Sequence, residues 1–276
     1  MNEKVGIVVL NYLNYHDTIE CVDSILEMNY AIEGIVIVDN HSGNESFAAL
    51  QKKYFKNNKI IVVCAGKNYG FAKGNNIGIQ IARKRFNVDF VFVVNNDVIF
   101  TQQDYFQILL KNYSEGIGAI GSEIHLAGDK IQKKYRIYTT VKEYVVWLLI
   151  YYCKLYHKPD LVRFLPPIYS SATALHGCAV LLTPDFFKYY EGFYKRTFLY
   201  HEEHLLYFMC RKYGLKQKYV SDTYIFHKED GSSEMSFHNS EHVKWKYAVQ
   251  SGKYVVWWLM KEKICDYFTS KKPCHS

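Results

Sequence analysis

The chain has 276 residues and a net charge of +7, and 49% of its residues are hydrophobic, 17% aromatic and 22% charged. This length suits one large domain or two small ones, and the composition excludes an intrinsically disordered chain. Seven scattered cysteines without a CxxC pair indicate reduced thiols, and the opening residues MNEKVGIVVLNY lack the apolar region of a signal peptide. We therefore expect a globular cytoplasmic protein.

The first hundred residues alternate between strand and helix patterns. Runs of mostly β-branched apolar residues predict strands at residues 5–10, 34–39, 59–64 and 90–95. Apolar residues at helical spacing predict helices at 17–28 and 75–85. Continuous apolar strands are typical of a sheet that is covered on both faces. The alternation predicts an α/β fold with a doubly wound, mostly parallel sheet.

The second half of the chain is less regular and richer in aromatic residues. Residues 137–165 have a helical pattern, and the apolar stretch Tyr144–Cys153 is about half as long as a membrane span. We expect that stretch to form a buried or interfacial helix. The remaining patterns predict a strand at 178–184, a helix at 201–213 that stops at Gly214, and a strand at 218–226 that leads to His227.

The C-terminal tail is basic and aromatic. From Lys244 to Ser276 there are seven lysines against Glu262 and Asp266, which gives this segment a charge of +5. A helix of this composition can lie on an anionic bilayer, or it can pack on the core and expose a lysine face to solvent. Nucleic acid binding is not expected, because the chain has no arginine cluster and no nucleic-acid-reading motif.

Polar residues follow each of the first four predicted strands. These strand ends are Asn11-Tyr12, Asp39-Asn40-His41-Ser42, the Gly66–Gly70 segment with Asn68, and Asn95-Asn96-Asp97. Ligands of open α/β sheets bind at the carboxyl ends of the strands, so the four ends together predict a site. No GxGxxG or Walker A motif is present, which argues against a dinucleotide or P-loop site. We expect Asp97 to bind Mg²⁺ or Mn²⁺, which would hold an anionic ligand.

Four segments resemble, in order, the donor-binding segments of inverting glycosyltransferases of family two with the GT-A fold. They are VVLNYLNY, VIVDNHSGN, KNYGFAKGNNIGI and VVNNDV. The stretches HGCAVLLTPDFF, EGFYKRTFLYHEEHLLYFMCRKYG and IFHKEDGSS resemble the acceptor half of the same family. The likeness covers about residues 4–233 and is closest to the bacterial rhamnosyltransferase and galactofuranosyltransferase branch.

The resemblance implies a nucleotide site and a metal site. Asp39 would contact the base or ribose, and the full predicted nucleotide-binding set is Asn11, Tyr12, Asp39, Asn40, Ser42, Asn68, Gly70, Gly74, Asn75 and Asn96. VVNNDV occupies the place of the family's DxD metal motif, with Asn95 in place of the first Asp, so Asp97 alone keeps a carboxylate. His227 matches a position that is often a further metal ligand, although a lone histidine can equally be structural.

The resemblance also implies a general base. YHEEHL is similar to the family's Tyr-x-Glu-Asp/Glu segment, in which Glu203 takes the place of the base and Glu202 would orient the acceptor or pair with a cation. If Glu203 is not the base, its neighbour Glu202 is the other candidate. The family often has Asp two residues after the base, where this chain has Leu205. His176-Gly177 resembles the loop beside which the acceptor approaches, although an ordinary turn explains it as well.

These residues predict a metal-dependent inverting glycosyltransferase. Residues 1–120 would bind the donor, 121–235 would form the acceptor-binding and catalytic half, and 236–276 would be the basic helical tail. We expect a UDP- or dTDP-linked sugar as donor and a glycan, lipid-linked by preference, as acceptor in capsule or O-antigen synthesis. The protein would work in the cytoplasm or peripherally at the inner face of the membrane. The alternatives are a sugar nucleotidyltransferase and a non-catalytic, membrane-associated assembly subunit.

Overall fold

The computed structural model describes residues 3–128, 130–170, 172–228 and 240–270, and for 263–270 it describes the backbone alone. The helices are α1 Tyr15–Leu26, α2 Ser46–Tyr54, α3 Gly70–Phe86, α4 Tyr105–Lys111, α5 Val141–Leu155, α6 Pro184–Phe187, α7 Glu202–Lys212 and α8 Glu241–Ser270, with a 3-10 helix at Pro159–Phe164. The strands are β1 Val5–Asn11, β2 Gly34–Asp39, β3 Ile60–Cys64, β4 Phe90–Asn95, β5 Val98–Ile99, β6 Ile117–Leu126, β7 Lys130–Ile131, β8 Tyr135–Ile137, β9 Ala172–Ala174, β10 Ala179–Leu182 and β11 Lys216–His227.

One large sheet forms the centre of the described structure. Its strand order is β3-β2-β1-β4-β10-β6-β11-β5, and β7 pairs with β6. The neighbours β3, β2, β1 and β4 run parallel, whereas β10 is antiparallel to both β4 and β6. The predicted α/β class with a mostly parallel sheet is therefore confirmed. The predicted boundary after residue 120 falls inside β6, so strands of both predicted halves share this sheet.

Helices cover both faces of the sheet, as a doubly wound fold requires. Successive strand residues point to opposite faces, so Ile7 and Val9 pack with α1, α2 and α4, while Val8 packs with α3, α6 and α7. All residues of β2 are buried, which explains its continuous apolar sequence.

A third, smaller core joins helices α5, α7 and α8 to the two-stranded sheet of β8 and β9. It contains Tyr144 of α5, Leu205 and Phe208 of α7, and Val255 and Leu259 of α8. Leu205 is 1% exposed. The apolar residue at the position where the family often has Asp is thus part of this core.

Helix α8 packs along α5, which favours core packing of the predicted tail. A Cβ atom added to Gly252 would lie 2.9 Å from the Trp147 ring, so the two helices approach closely. Nearer the start of α8, the rings of His157 and His242 lie 6.1 Å apart. The helices therefore run antiparallel. The membrane interpretation of the tail stays a prediction, and residues 229–239 and 271–276, which include the predicted boundary after 235, lie outside the described residues.

Several element boundaries differ from the expectation. Helix α3 begins at Gly70 and not at Asn75, so the glycines at its start are helical. The helical pattern at 137–165 is divided into β8, α5 and a 3-10 helix. None of the described helices has both the length and the apolar character that are needed to cross a bilayer.

Candidate active site

A cavity of about 750 Å³ opens at the carboxyl ends of β1, β2 and β4. Of the residues that the sequence predicted for the site, the cavity wall contains Tyr12, Asn40, Asn68, Gly70, Asn96, Asp97, His176, Gly177, Glu202, Glu203 and His227. Residues from both halves of the chain thus meet at one place. The polar strand ends lie together because parallel strands end at the same edge of the sheet.

Three predicted nucleotide-binding residues form a hydrogen-bonded cluster behind this wall. The Asn11 amide donates to Asp39 Oδ2 at 2.7 Å, and the Ser42 hydroxyl donates to the same oxygen at 2.6 Å. The backbone N–H of Ser42 donates to Asp39 Oδ1 at 3.0 Å. All three side chains are buried, and none is part of the cavity wall in the described structure. Their hydrogen bonds hold the ends of β1 and β2, and direct contact with a nucleotide stays a prediction.

The loop between β3 and α3 is held by side-chain amides. Asn40 donates to Asn68 Oδ1 at 3.0 Å, and the same oxygen accepts from the Gly70 N–H at 2.9 Å. Gly70 has a φ of +74°, and a Cβ atom there would lie 2.1 Å from the carbonyl oxygen of Phe198. Only glycine fits this position. The Phe71 N–H donates to that carbonyl at 2.8 Å, which ties the loop to the segment before α7.

Gly74 and Asn75 belong to the helix interior. Gly74 allows α3 to approach Leu10 of β1, since an added Cβ atom would lie 2.7 Å from its side chain. Asn75 is fully buried and donates to the Phe71 carbonyl at 3.0 Å. Neither residue is part of the cavity wall, so the structure brings them near the site without exposing them to it.

The turn after β4 places Asp97 against His227. Strands β5 and β11 pair antiparallel with Val98 opposite His227, and this register brings His227 Nε2 to 3.3 Å from Asp97 Oδ1. Asn96 also lines the cavity, and its side-chain amide donates to the Asn14 carbonyl at 3.0 Å. Both Asp97 and His227 are buried at the cavity, a position that suits a pair of metal ligands.

The pair fits a divalent metal only in part. No group of three or more His, Cys, Asp or Glu side chains with suitable spacing occurs among the described residues. The 3.3 Å contact of Asp97 Oδ1 with His227 is not a hydrogen bond, and His227 Nδ1 is buried without a hydrogen-bond partner, so these side chains are not fully engaged by the protein. A hard carboxylate oxygen and an imidazole nitrogen suit Mn²⁺ or Mg²⁺ when a ligand's phosphate oxygens and water complete the shell.

His176 and Gln132 form the wall beside His227. The Gln132 side-chain amide and His176 Nε2 are 2.6 Å apart, and His176 Nδ1 accepts from the Cys178 N–H at 3.2 Å. Burial, followed by the neighbouring His227, lowers the pKa of His176 to about 3. His176 is therefore neutral at physiological pH and cannot act as a cation towards a phosphate group.

Helix α7 begins at the cavity and brings in the two glutamates. The preceding residues Tyr200 and His201 have φ values of 69° and 68°. This left-handed backbone conformation is unfavourable for residues other than glycine. This turn directs Glu203 towards Gly177, whose N–H donates to Glu203 Oε1 at 3.3 Å. A Cβ atom at Gly177 would lie 2.7 Å from that oxygen, so a glycine is needed for this contact.

Burial raises the pKa of both glutamate carboxyls. For Glu203 burial is the main cause, and for Glu202 the charge of Glu203 adds to it. Glu202 is more deeply buried, and its Oε1 has no hydrogen-bond partner among the described residues. Glu203 is the less buried of the two residues and is therefore better placed to reach a ligand in the cavity.

Several residues of the wall carry no sequence motif. Tyr135 lies close enough to Glu203 that this charge, with burial, raises the pKa of its hydroxyl. Tyr247 of α8 also lines the cavity, and its ring stacks on Phe198 at 5.0 Å. The high aromatic content was the one sequence signal for these residues, and it does not say which rings reach the cavity.

A family model described as "Glycosyl transferase family 2" matches residues 5–172, more than half of the 276-residue chain. A curated relative, a low-salt glycan biosynthesis hexosyltransferase of Haloferax volcanii, is 23% identical over 124 residues. That match covers 45% of this chain and 38% of the relative, so the chain matches well under half of the relative's length.

Solved structures share the fold at low sequence identity. The mannosyltransferase PcManGT from Pyrobaculum calidifontis, in complex with GDP-Man and Mn²⁺, has a TM-score of 0.57 and 12% identity, covering 99% of this chain and 76% of that one. TarS from S. aureus in complex with UDP-GlcNAc has a TM-score of 0.56 and 15% identity, covering 84% and 60%. At these identities the likeness shows the fold alone.

Proposed function

Because this chain belongs to glycosyl transferase family 2, we propose that it is a metal-dependent, inverting glycosyltransferase. It moves a sugar from a nucleoside-diphosphate sugar to a hydroxyl of a glycan acceptor. The acceptor is lipid-linked, the donor is a UDP- or dTDP-sugar, and the transferred sugar is of the rhamnosyl or galactofuranosyl type, as the sequence resemblance implies.

One observation supports this proposal above all others. Asp97, His227 and Glu203 line the same 750 Å³ cavity. A transferase needs a cation-binding pair at the leaving diphosphate and a base at the attacking hydroxyl. The complexes of the similar structures with GDP-Man and UDP-GlcNAc support a nucleotide-sugar donor in this cavity.

The metal would be held by Asp97 and His227 together with diphosphate oxygens. When bound, Mn²⁺ or Mg²⁺ neutralises charge on the leaving diphosphate. Two protein ligands, of which one is neutral, leave much of the metal shell to the nucleotide. We therefore expect weak metal binding without the nucleotide, in agreement with the replacement of the first Asp of the motif by Asn95.

Glu203 acts on the acceptor. The acceptor oxygen attacks the anomeric carbon as its bond to the diphosphate breaks, and the bonding electrons leave with the nucleoside diphosphate. Glu203 takes the proton of the attacking hydroxyl, and a single displacement inverts the configuration. The Gly177 N–H, 3.3 Å from Glu203 Oε1, orients the carboxylate. The raised pKa of the Glu203 carboxyl is closer to the working pH, where a general base is most effective.

The proposal can be tested with a panel of UDP-, dTDP- and GDP-sugars. We expect Mn²⁺-stimulated release of nucleoside diphosphate with one of them and loss of release after chelation. Release of pyrophosphate would instead identify a nucleotidyltransferase. No product with any donor would favour the non-catalytic alternative. Proton NMR of the product anomer tests inversion directly.

A pair of variants identifies the base. Glu203→Gln keeps the shape of the side chain but removes its basicity, so turnover should fall at least about 10²-fold while donor binding by calorimetry is unchanged. Glu202→Gln is the matched control, since it changes the adjacent carboxylate in the same way. If Glu202→Gln shows the larger loss of turnover, the base is Glu202.

A further inference from the structure

Helix α5 carries an apolar stripe on its outer side. Val145, Leu149, Tyr152 and Tyr156 follow one another at spacings of four, three and four residues, so they lie along one face of the helix. Val145 is 40% exposed, Leu149 44% and Tyr156 66%. The rings of Tyr152 and Tyr156 are parallel at 6.1 Å. Tyr152 is half-buried between the exposed members. Large apolar side chains are normally buried in a core, so this largely exposed stripe requires an explanation.

The segment after α5 extends this surface. Leu161 and Phe164 of the 3-10 helix are 50% and 71% exposed, and Tyr169 is 73% exposed. We call these residues, together with Val145, Leu149, Tyr152 and Tyr156, the exposed apolar face. Six of the thirteen large apolar residues that are exposed in the described structure belong to this face.

Cations surround the exposed apolar face. Lys142, Lys158 and Arg163 are exposed beside it, whereas residues 141–170 contain two acidic side chains, Glu143 and Asp160. Glu143 is engaged in the capping box of α5 with Thr140. The Arg163 guanidinium lies 4.8 Å from the Phe164 ring centre, and Lys253 of α8 lies 5.4 Å from that of Tyr152. Aromatic residues rimmed by Lys and Arg suit the boundary between lipid tails and anionic headgroups.

The exposed apolar face also lies beside the active-site wall. At the end of α5, the His157 ring stacks on His242 at the start of α8. The next residue, Val243, lines the cavity, as does Tyr247 one turn later. A glycan attached to a lipid at this face would therefore have a short path to the cavity.

We propose that the exposed apolar face docks this protein on an anionic bilayer surface, with α5 lying in the interface. Its 15 residues are too few to span the membrane, which leaves surface insertion as the mode of binding. A second copy of the chain is a poorer partner, because a symmetric contact would bring the surrounding cations of the two copies together. The purpose of docking rests on the proposed lipid-linked acceptor; the docking itself does not.

Vesicle flotation tests the proposal on the full chain. We expect flotation with vesicles of 30% phosphatidylglycerol in phosphatidylcholine and little with phosphatidylcholine alone. Phe164→Ser with Tyr169→Ser should weaken binding at least about tenfold, because each ring loses its apolar burial in the bilayer. The matched control is Phe55→Ser, which changes an 82% exposed aromatic residue on another part of the surface.

A second pair of variants tests the cations. Lys158→Ala with Arg163→Ala should weaken binding about fivefold for each cation removed, and Lys52→Ala with Lys56→Ala on and just after α2 should not. Equal binding by wild type and the Phe164/Tyr169 variant, or equal loss in the Phe55 control, would overturn the proposal. A dimer that dissociates in the Phe164/Tyr169 variant while flotation is unchanged would show that a second copy covers the face.

Nucleoside diphosphate release separates this inference from the proposed function. Phe164 and Tyr169 are outside the cavity wall, so their variant should hydrolyse the donor at the wild-type rate while it no longer floats. Flotation without any donor turnover would support docking and contradict the proposed reaction. Donor turnover by a wild-type chain that does not float would support the proposed reaction and contradict docking.

Discussion

The two sides of the cavity differ in how far their buried polar groups are hydrogen-bonded. On the side of β1, β2 and the β3–α3 loop, Asn11, Asp39 and Ser42 hydrogen-bond to one another. On the side of the β4–β5 turn and α7, buried atoms of Asp97, His227 and Glu202 have no hydrogen-bond partner in the described structure. Because an unpaired buried polar atom costs free energy, the first side stabilises the fold, whereas the second would gain stability from a ligand that supplied the missing partners.

This comparison separates two classes of substitution. Changes on the hydrogen-bonded side should chiefly lower the free energy of unfolding. Changes on the unpaired side should chiefly lower turnover and leave stability unchanged or higher, as is common where an active site sacrifices stability for function.

Asp97→Asn should have the largest effect. Loss of the one carboxylate at the proposed metal position should lower kcat about 10³-fold or more, since a metal contributes several kcal/mol to the transition state. The unfolding free energy should not fall, because a neutral amide is less costly to bury than a carboxylate. Steady-state kinetics and urea unfolding check the two parts. Full activity would contradict the metal assignment.

Asp39→Ala should give the largest loss of stability. It leaves the Asn11 amide and two donors of Ser42 without their acceptor in a buried place, which should lower the unfolding free energy by about 3 kcal/mol. Urea unfolding measures the loss. Lys53→Ala, which breaks the exposed ion pair with Asp23, is the control and should cost at most about 1 kcal/mol. Equal effects would remove the distinction between the two sides.

The pH dependence of kcat/KM should show the raised pKa of Glu203. The base works in its ionised form, so activity should fall as pH decreases through a value above 4.5, the ordinary pKa of this side chain, by about tenfold per unit. His176, whose pKa is lowered to about 3, cannot cause this decrease. The residual activity of the Glu203→Gln variant should not decrease in this pH range. A decrease centred at or below the ordinary value would contradict the assignment.

The raised carboxyl pKa also makes the free energy of unfolding depend on pH, because folding and proton binding are thermodynamically linked. A carboxyl with a raised pKa in the folded state binds its proton more tightly there, so its contribution is full at low pH and is lost as pH rises through that pKa. Glu202→Gln cannot ionise and should therefore gain stability relative to wild type as the pH rises above the ordinary glutamate range.

Tyr247→Leu should have the smallest effect. Its ring forms part of the cavity wall and stacks on Phe198, an arrangement worth about 1 kcal/mol. We expect about a fivefold higher KM for the acceptor with little change in kcat. Tyr213→Leu, which removes an exposed ring stacked on Tyr189, is the control. An unchanged KM would show that α8 supports the wall without contacting the acceptor.

Much of the donor half could be predicted from the sequence, and less of the rest. The four apolar runs became β1 to β4 within one residue of their predicted ends, because strands that are buried on both faces have a local signature. Strand β6 was not predicted, since its glycines, serine, glutamate and histidine give no continuous apolar pattern. The turn and helix-stop signals in the aromatic stretch at 137–165 are too weak to show where α5 ends.

The sequence by itself determined the α/β class, the order of the first four strands, and the residue types that arrive at their ends. These features depend on the spacing of apolar residues along the chain and on the direction of each strand, and both are set by residues that are close in sequence. The tertiary structure alone decided the contact of Asp97 with His227, the contact of Glu203 with Gly177, and the place of α8 in the cavity wall. Pairing register and burial arise from contacts between distant segments, and no local pattern records them.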